Sequence, residues 1–251
     1  MQEQWDFYLC RVDEQIASIN LNLALAEAAP SADYPVMAYV HLTMREARED
    51  GLSSNAEYPR LEQLEDQLIP ALTADNQAIF VGRNTTAGCR DFYFYLANGK
   101  AWQQRVAQAM AAFPEYEYSA DTREDNDWST YFDFLYPGEA DLQRMQNRRI
   151  CILLEQNGDS LSVAREIRHW AFFSDDSQRQ AYIDNVLDSQ FKIEQIYQTD
   201  DEAYPQALCF TQQAIPAFGE IDEITLPLFF AAKDYQGYYD GWETEIIKDA
   251  E

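Results

Sequence analysis

Histidine and positive charge are scarce in this sequence. Its 251 residues hold two histidines, His41 and His169. Catalysis through a histidine base has only these two to draw on, and both sit beside apolar neighbours in stretches that read as strands. Lysine and arginine number 18 against 44 aspartates and glutamates, a net charge of −26. Neither half shows the basic stripe that a nucleic-acid backbone requires, so direct nucleic-acid binding is not expected. The four cysteines, Cys10, Cys89, Cys151 and Cys209, are widely spaced and form no CxxC pair. That spacing gives no zinc-ligand pattern and no disulfide framework. Cys10, Cys151 and Cys209 lie in apolar runs and read as reduced core thiols. No apolar run approaches the ~20 residues of a membrane-spanning helix. The opening Met1-Gln2-Glu3-Gln4-Trp5-Asp6 lacks the basic and apolar regions of a secretory leader, so the expected compartment is the cytoplasm. The nucleophile elbow GxSxG, the Walker A loop, the GxGxxG turn and HExxH are all missing. No catalytic residue, metal site or cofactor is therefore assigned, and a non-enzyme is expected.

Aromatics are plentiful: 16 Tyr, 14 Phe and 5 Trp. With 47% hydrophobic residues, the chain can bury real cores, and its length allows two modest domains. Residues 1–137 carry 9 basic and 22 acidic side chains, and residues 138–251 carry the same numbers, so each half holds −13. A field of this sign favours basic partners.

In the first half, Trp5 to Val12 reads as a strand. A second strand follows, with Ile19, Leu21, Leu23 and Leu25 on one face, and Val36 to Met44 is a third. Ser54 and Glu57 have capping-box spacing ahead of a helix whose stripe is Tyr58, Leu61, Leu64, Leu68 and Leu72. Pro70 is expected to bend or end it. Strands at Ala78–Val81 and Arg90–Leu96 flank a Gly82–Gly88 turn. A helix follows at Trp102–Phe113, then a short strand at Tyr116–Ala120 and a charged loop at Asp121–Asp127. Trp128–Tyr136 fits neither period. The first domain is expected to be a mixed or antiparallel sheet with helices, ending at the Pro137-Gly138 break.

The second half begins with a helix over Glu139–Gln156. A strand, a helix capped by Ser174-Asp175-Asp176, two strands, a helix over Phe218–Asp234 and a closing strand come after it. This β-α-β-β-α-β order predicts a ferredoxin-like α/β sandwich with an extra leading helix, over 138–251. The whole chain is thus expected to be α+β.

The closing Tyr239-Asp240-Gly241-Trp242-Glu243-Thr244 resembles the C-terminal signature of the regulator of ribonuclease E activity B family. The strand bearing Arg168-His169-Trp170 and the Thr199-Asp200-Asp201-Glu202 turn are similar to that family's layout. Residues 1–137 resemble a bacterial domain family of unknown function often joined to it, through Trp5–Tyr8, Asp50-Gly51-Leu52, Val81-Gly82-Arg83, Gly88 and Arg90–Tyr95. The resemblance implies a non-catalytic regulator that binds a ribonuclease through protein contact. Tyr239, Asp240, Trp242 and Glu243 are the candidate partner-binding residues, with core packing as the competing reading for the two aromatics. A second reading is an enzyme whose site lies between the domains or around His41, Arg83 and Arg90, the two arginines holding an anion. A third is a self-associating module, a homodimer through a sheet edge or face.

Overall fold

The computed structural model describes residues 2–248. It divides into two compact units, with the division between Gly138 and Glu139. Both are α+β.

The first unit is one six-stranded sheet: β1 (Trp5–Val12), β2 (Gln15–Asn22), β3 (Val36–Thr43), β4 (Ala78–Thr86), β5 (Cys89–Leu96) and β6 (Tyr118–Glu124). Its spatial order is β1-β2-β4-β5-β3-β6, and every neighbouring pair is antiparallel. Two helices, α1 (Tyr58–Thr73) and α2 (Trp102–Met110), cover one face. Leu61, Leu64, Leu68 and Leu72 recur every three to four residues on α1 and pack on Val40, Leu42, Phe92 and Phe94 of the sheet. The opposite face carries the 125–136 segment. There Trp128 stacks on Tyr95 at 3.9 Å, and the Tyr131 hydroxyl donates to the Asn22 carbonyl at 2.8 Å.

Several local expectations change. Leu23 and Leu25 leave the strand and enter a 3-10 turn over Leu23–Glu27, which the Asn22 side chain caps through the Ala24 N–H. The expected Gly82–Gly88 turn shrinks to Ala87-Gly88. Both residues have positive φ, the geometry of a two-residue hairpin loop, and pairing therefore runs out to Thr86–Cys89. Asp121–Glu124 belongs to β6 rather than to a loop: an edge strand can keep its charged side chains in water while its backbone pairs with β3. Trp128–Tyr136 contains a π-helical turn over Thr130–Leu135. Pro70 does not end α1. It lies on the exposed side of the helix, as does Asp66, whose carbonyl loses its N–H partner, so water can take up the loss. Of the expected capping box, Ser54 does accept from the Glu57 N–H, but the Glu57 carboxylate turns away to the N–H groups of Arg45 and Glu46.

The second unit opens with α3 (Glu139–Gln156) and continues β7 (Arg165–Phe173), α4 (Asp176–Val186), β8 (Lys192–Gln198), β9 (Gln206–Ala214), α5 (Glu220–Asp234) and β10 (Gly237–Thr244). The sheet order is β10-β7-β9-β8, all antiparallel, which is the ferredoxin-like arrangement with one extra leading helix. Asp175 caps α4 by accepting from the Gln178 N–H. Ala171, Phe173, Leu208 and Phe210 meet Tyr182 of α4 and Leu228 of α5 in the core. Cys151 and Cys209 are buried as expected of core thiols, whereas Cys10 is half-buried on β1.

Candidate functional site

β10 carries the C-terminal signature. Tyr239 and Trp242 are three residues apart, so in a regular strand they would point to opposite faces. A β-bulge between Tyr239 and Gly241 shifts the phase, and Tyr239 pairs with Ala171 while Trp242 pairs with His169. Both rings therefore face the helices. Gly241 holds φ at +134°, a backbone state that side-chain-bearing residues rarely adopt.

The two rings serve different parts of the core. The Tyr239 hydroxyl shares a 2.7 Å hydrogen bond with His169 Nδ1. Burial pushes the His169 imidazole down to about 3, so it is neutral at pH 7. Trp242 Nε1 donates to Asn147 Oδ1 at 2.9 Å, and Gln143 Nε2 donates to the same oxygen at 3.0 Å. The Asn147 amide nitrogen donates in turn to Asp222 at 2.6 Å and Thr225 at 2.7 Å. All four hydrogen-bonding positions of that buried amide are filled, which ties α3, α5 and β10 together.

On the opposite, helix-free face of the sheet the exposed side chains are different. Trp170, Phe172, Tyr204 and Tyr238 are half-buried there. Phe172 stacks on Tyr238 at 5.1 Å, and Tyr204 meets Tyr238 edge-on at 5.0 Å. Burial first, then the charges of Asp240 and Asp201, push the Tyr238 hydroxyl up. Arg168 lies between Glu194 and Glu243, with its Nε 2.6 Å from the first and its Nη1 3.0 Å from the second.

In the first unit, Arg83 and Arg90 come from β4 and β5 on the face that α1 covers. Register places Arg83 opposite Phe92 and Arg90 opposite Thr85. Both guanidiniums reach the same carboxylate, Glu65 of α1. Arg90 also donates from Nε to Thr85 Oγ1 at 3.2 Å and from Nη2 to Ser53 Oγ at 3.4 Å. Burial, then repulsion from Arg83, lowers the Arg90 guanidinium to about 10. His41 pairs in register with Asp91 and bonds it through Nδ1 at 2.6 Å. Asp91 is the neighbour of Arg90 along β5, so it projects to the other face. His41, Arg83 and Arg90 therefore do not converge, and the site drawn from all three is ruled out by the period of the strand.

Residues 3–136 match the sequence pattern of a family of unknown function, DUF695. The chain belongs to this family. Residues 144–244 match the family described as regulator of ribonuclease activity B, so the DUF695 unit is followed by a regulator-type unit, as both sequence resemblances implied. No curated protein matches the chain.

Within the regulator-type unit, Tyr239 and Trp242 are each 5% exposed, while Asp240 and Glu243 reach solvent. The bulge turns both rings inward, where they pack in the core, the competing reading for the two aromatics. Asn147, Asp222 and Thr225 were missed by the sequence reading. Their signal was present: Gln143 and Asn147 occupy the stripe that continues through Cys151 and Leu154, where apolar residues belong. The helix-free aromatic face was missed because nothing in the alternation of β7 says which of its two faces is covered. In the DUF695 unit, Arg83 and Arg90 do come together, through the β4–β5 register. Among the described residues no group of three His, Cys, Asp or Glu side chains is placed to hold a metal. No helix among them is long and apolar enough to cross a membrane.

Proposed function

We propose that this chain is a non-catalytic regulator that acts on a ribonuclease or its assembly by binding a basic segment of a protein partner. The contact surface in this reading is the helix-free face of the ferredoxin-like sheet. One observation carries it: the aromatic cluster of Phe172, Tyr204 and Tyr238 is half-exposed and stands beside the exposed carboxylates of Asp201 and Asp240. Aromatic rings that keep a solvent-facing edge are the usual anchors of a protein interface. Acidic side chains around them suit lysine and arginine, which add cation–π contact to charge attraction. The regulator family match supports the ribonuclease class of partner. Asp240, from the C-terminal signature, belongs to this face's rim. Glu243 already neutralises Arg168 and contributes less.

The test is affinity capture with the full chain at increasing salt, alongside the double charge reversal Asp201→Lys, Asp240→Lys. A ribonuclease component should be retained at low salt and released as salt rises, because exposed charges are screened. The double variant should lose retention by about tenfold, the equivalent of roughly 1.4 kcal/mol. Retention that ignores salt, or no ribonuclease at low salt, would refute this reading.

A further inference from the structure

The DUF695 unit contains a pocket that the regulator reading does not use. It is a cavity of about 250 Å³. Its floor is the helix-side face of β2, β4 and β5, where Ser18, Asn20, Arg83, Thr85 and Arg90 line it. Phe7 and Leu9 of β1 form one wall, and Leu52 and Tyr58 form the other. The second wall is held rigidly. Arg48 N donates to Leu52 O at 2.8 Å, and Gly88 N donates to Gly51 O at 2.9 Å, docking the loop on the β4–β5 hairpin. A side chain at Gly51 would strike the Ala87 backbone nitrogen at 2.7 Å, so the loop's close seat depends on this glycine.

The charge in this pocket is unbalanced. Arg83 and Arg90 share the single carboxylate of Glu65, and the Arg90 side chain is only 3% exposed. Glu57 adds attraction from farther away, but its two oxygens are already occupied by the N–H groups of Arg45 and Glu46. Arg48 is matched by Asp50 and adds nothing net. Two guanidiniums on one carboxylate leave about one positive charge facing the cavity, in a protein whose overall charge is −26. A buried cation without a full counter-charge is costly, and an incoming anion relieves that cost. Guanidinium forks also match the geometry of carboxylate and phosphate oxygens. The walls, by contrast, are apolar, and Leu9 is 57% exposed with Phe7 at 43%.

We propose that this pocket binds a small organic anion, its oxyanion head taken by Arg83 and Arg90 and its apolar body laid against Leu9, Leu52 and Tyr58. The pocket's volume lies just under the ~300 Å³ at which pockets for drug-sized ligands begin, which suits a metabolite-sized acid. A second cavity of about 680 Å³ shares Asn20, Glu65 and Arg83 with the first, so a longer apolar body has room along β2. All the residues that line this pocket belong to the DUF695 unit, whereas the aromatic face belongs to the regulator-type unit.

Titration of the isotope-labelled full chain, followed by nuclear magnetic resonance, tests it with four probes: acetate, inorganic phosphate, benzoate and phenyl phosphate. The two ring-bearing anions should give saturable shifts at lining residues and bind at least about tenfold more tightly than the bare heads, roughly the yield of burying one ring face. Comparison of benzoate with phenyl phosphate tells a carboxylate site from a phosphate site. Arg83→Gln should weaken binding about tenfold with an unchanged spectrum elsewhere. Glu65→Gln frees both guanidiniums and should tighten it, an outcome that a purely structural ion pair does not produce. Lack of saturation by any probe below about 10 mM would overturn the proposal. So would affinity that is unmoved by Arg83→Gln, or weakened by Glu65→Gln.

Discussion

Gly241 sets the direction of two side chains of the C-terminal signature, Tyr239 and Trp242. Its positive φ and the bulge beside it turn Tyr239 and Trp242 to the same side of the sheet. There they meet polar atoms that would be costly to bury alone, His169 and Asn147. His169 gives this arrangement a pH signature. An ordinary histidine titrates near ~6.5, whereas burial holds this one at about 3. Between those values the unfolded chain binds a proton that the folded chain refuses. Stability is therefore full above about pH 6.5 and falls as pH drops toward 3. In His169→Gln this dependence should flatten, at a cost of about 1–2 kcal/mol at neutral pH because the Tyr239 hydroxyl keeps only a substitute partner. Urea midpoints measured from pH 7 to 4 on both proteins check it. Parallel slopes would mean that another group carries the acid sensitivity.

At the scale of elements, the regular pieces follow from their periods, and the irregular ones depend on single side chains. The π-helical turn at Thr130–Leu135 is held by Asp125. Burial opposes that carboxylate's charge, but hydrogen bonds from the Tyr95 hydroxyl, the Thr130 N–H and Ser129 outweigh it and hold its titration well below the usual range. The Tyr95 hydroxyl donates at 2.6 Å, and the N–H groups of Ser129 and Thr130 donate at 2.8 and 2.9 Å. A carboxyl so depressed contributes stability above its unfolded titration near ~3.9, and the contribution is lost as pH falls through and below that value. Asp125→Asn replaces an acceptor by a group that is half donor, among donors. It should cost about 1–3 kcal/mol and speed hydrogen exchange at Tyr131–Leu135 more than in β3 or β5. Equal protection across these segments would show that aromatic packing alone holds the turn. The segment was illegible in sequence for the same reason: its geometry comes from one carboxylate and a stack of rings, not from a repeating pattern. The Ala87-Gly88 hairpin was half legible, since glycine marked the turn, but the extent of β4 depended on Arg83 and Thr85 facing Phe92 and Arg90 across the ladder.

For the whole molecule, two compact units each have their own sheet and core. Residues 1–138 and 139–251 should therefore each melt cooperatively when produced separately, as circular dichroism can show. A broad, non-cooperative transition in either piece would mean that it depends on the other. The sequence by itself determined the α+β class, the ferredoxin-like order of the second unit and the acidity shared by both halves, because periodicity, turn chemistry and composition are local or additive properties. It also carried the two family resemblances in short runs of residues. Tertiary structure alone decided which face each strand buries. It sent Tyr239 and Trp242 inward through a bulge, left Phe172 and Tyr238 on a helix-free face, and separated His41 from Arg83 and Arg90. Those outcomes turn on register, where a shift of one residue exchanges the two sides of a strand and nothing local records which side a helix will cover.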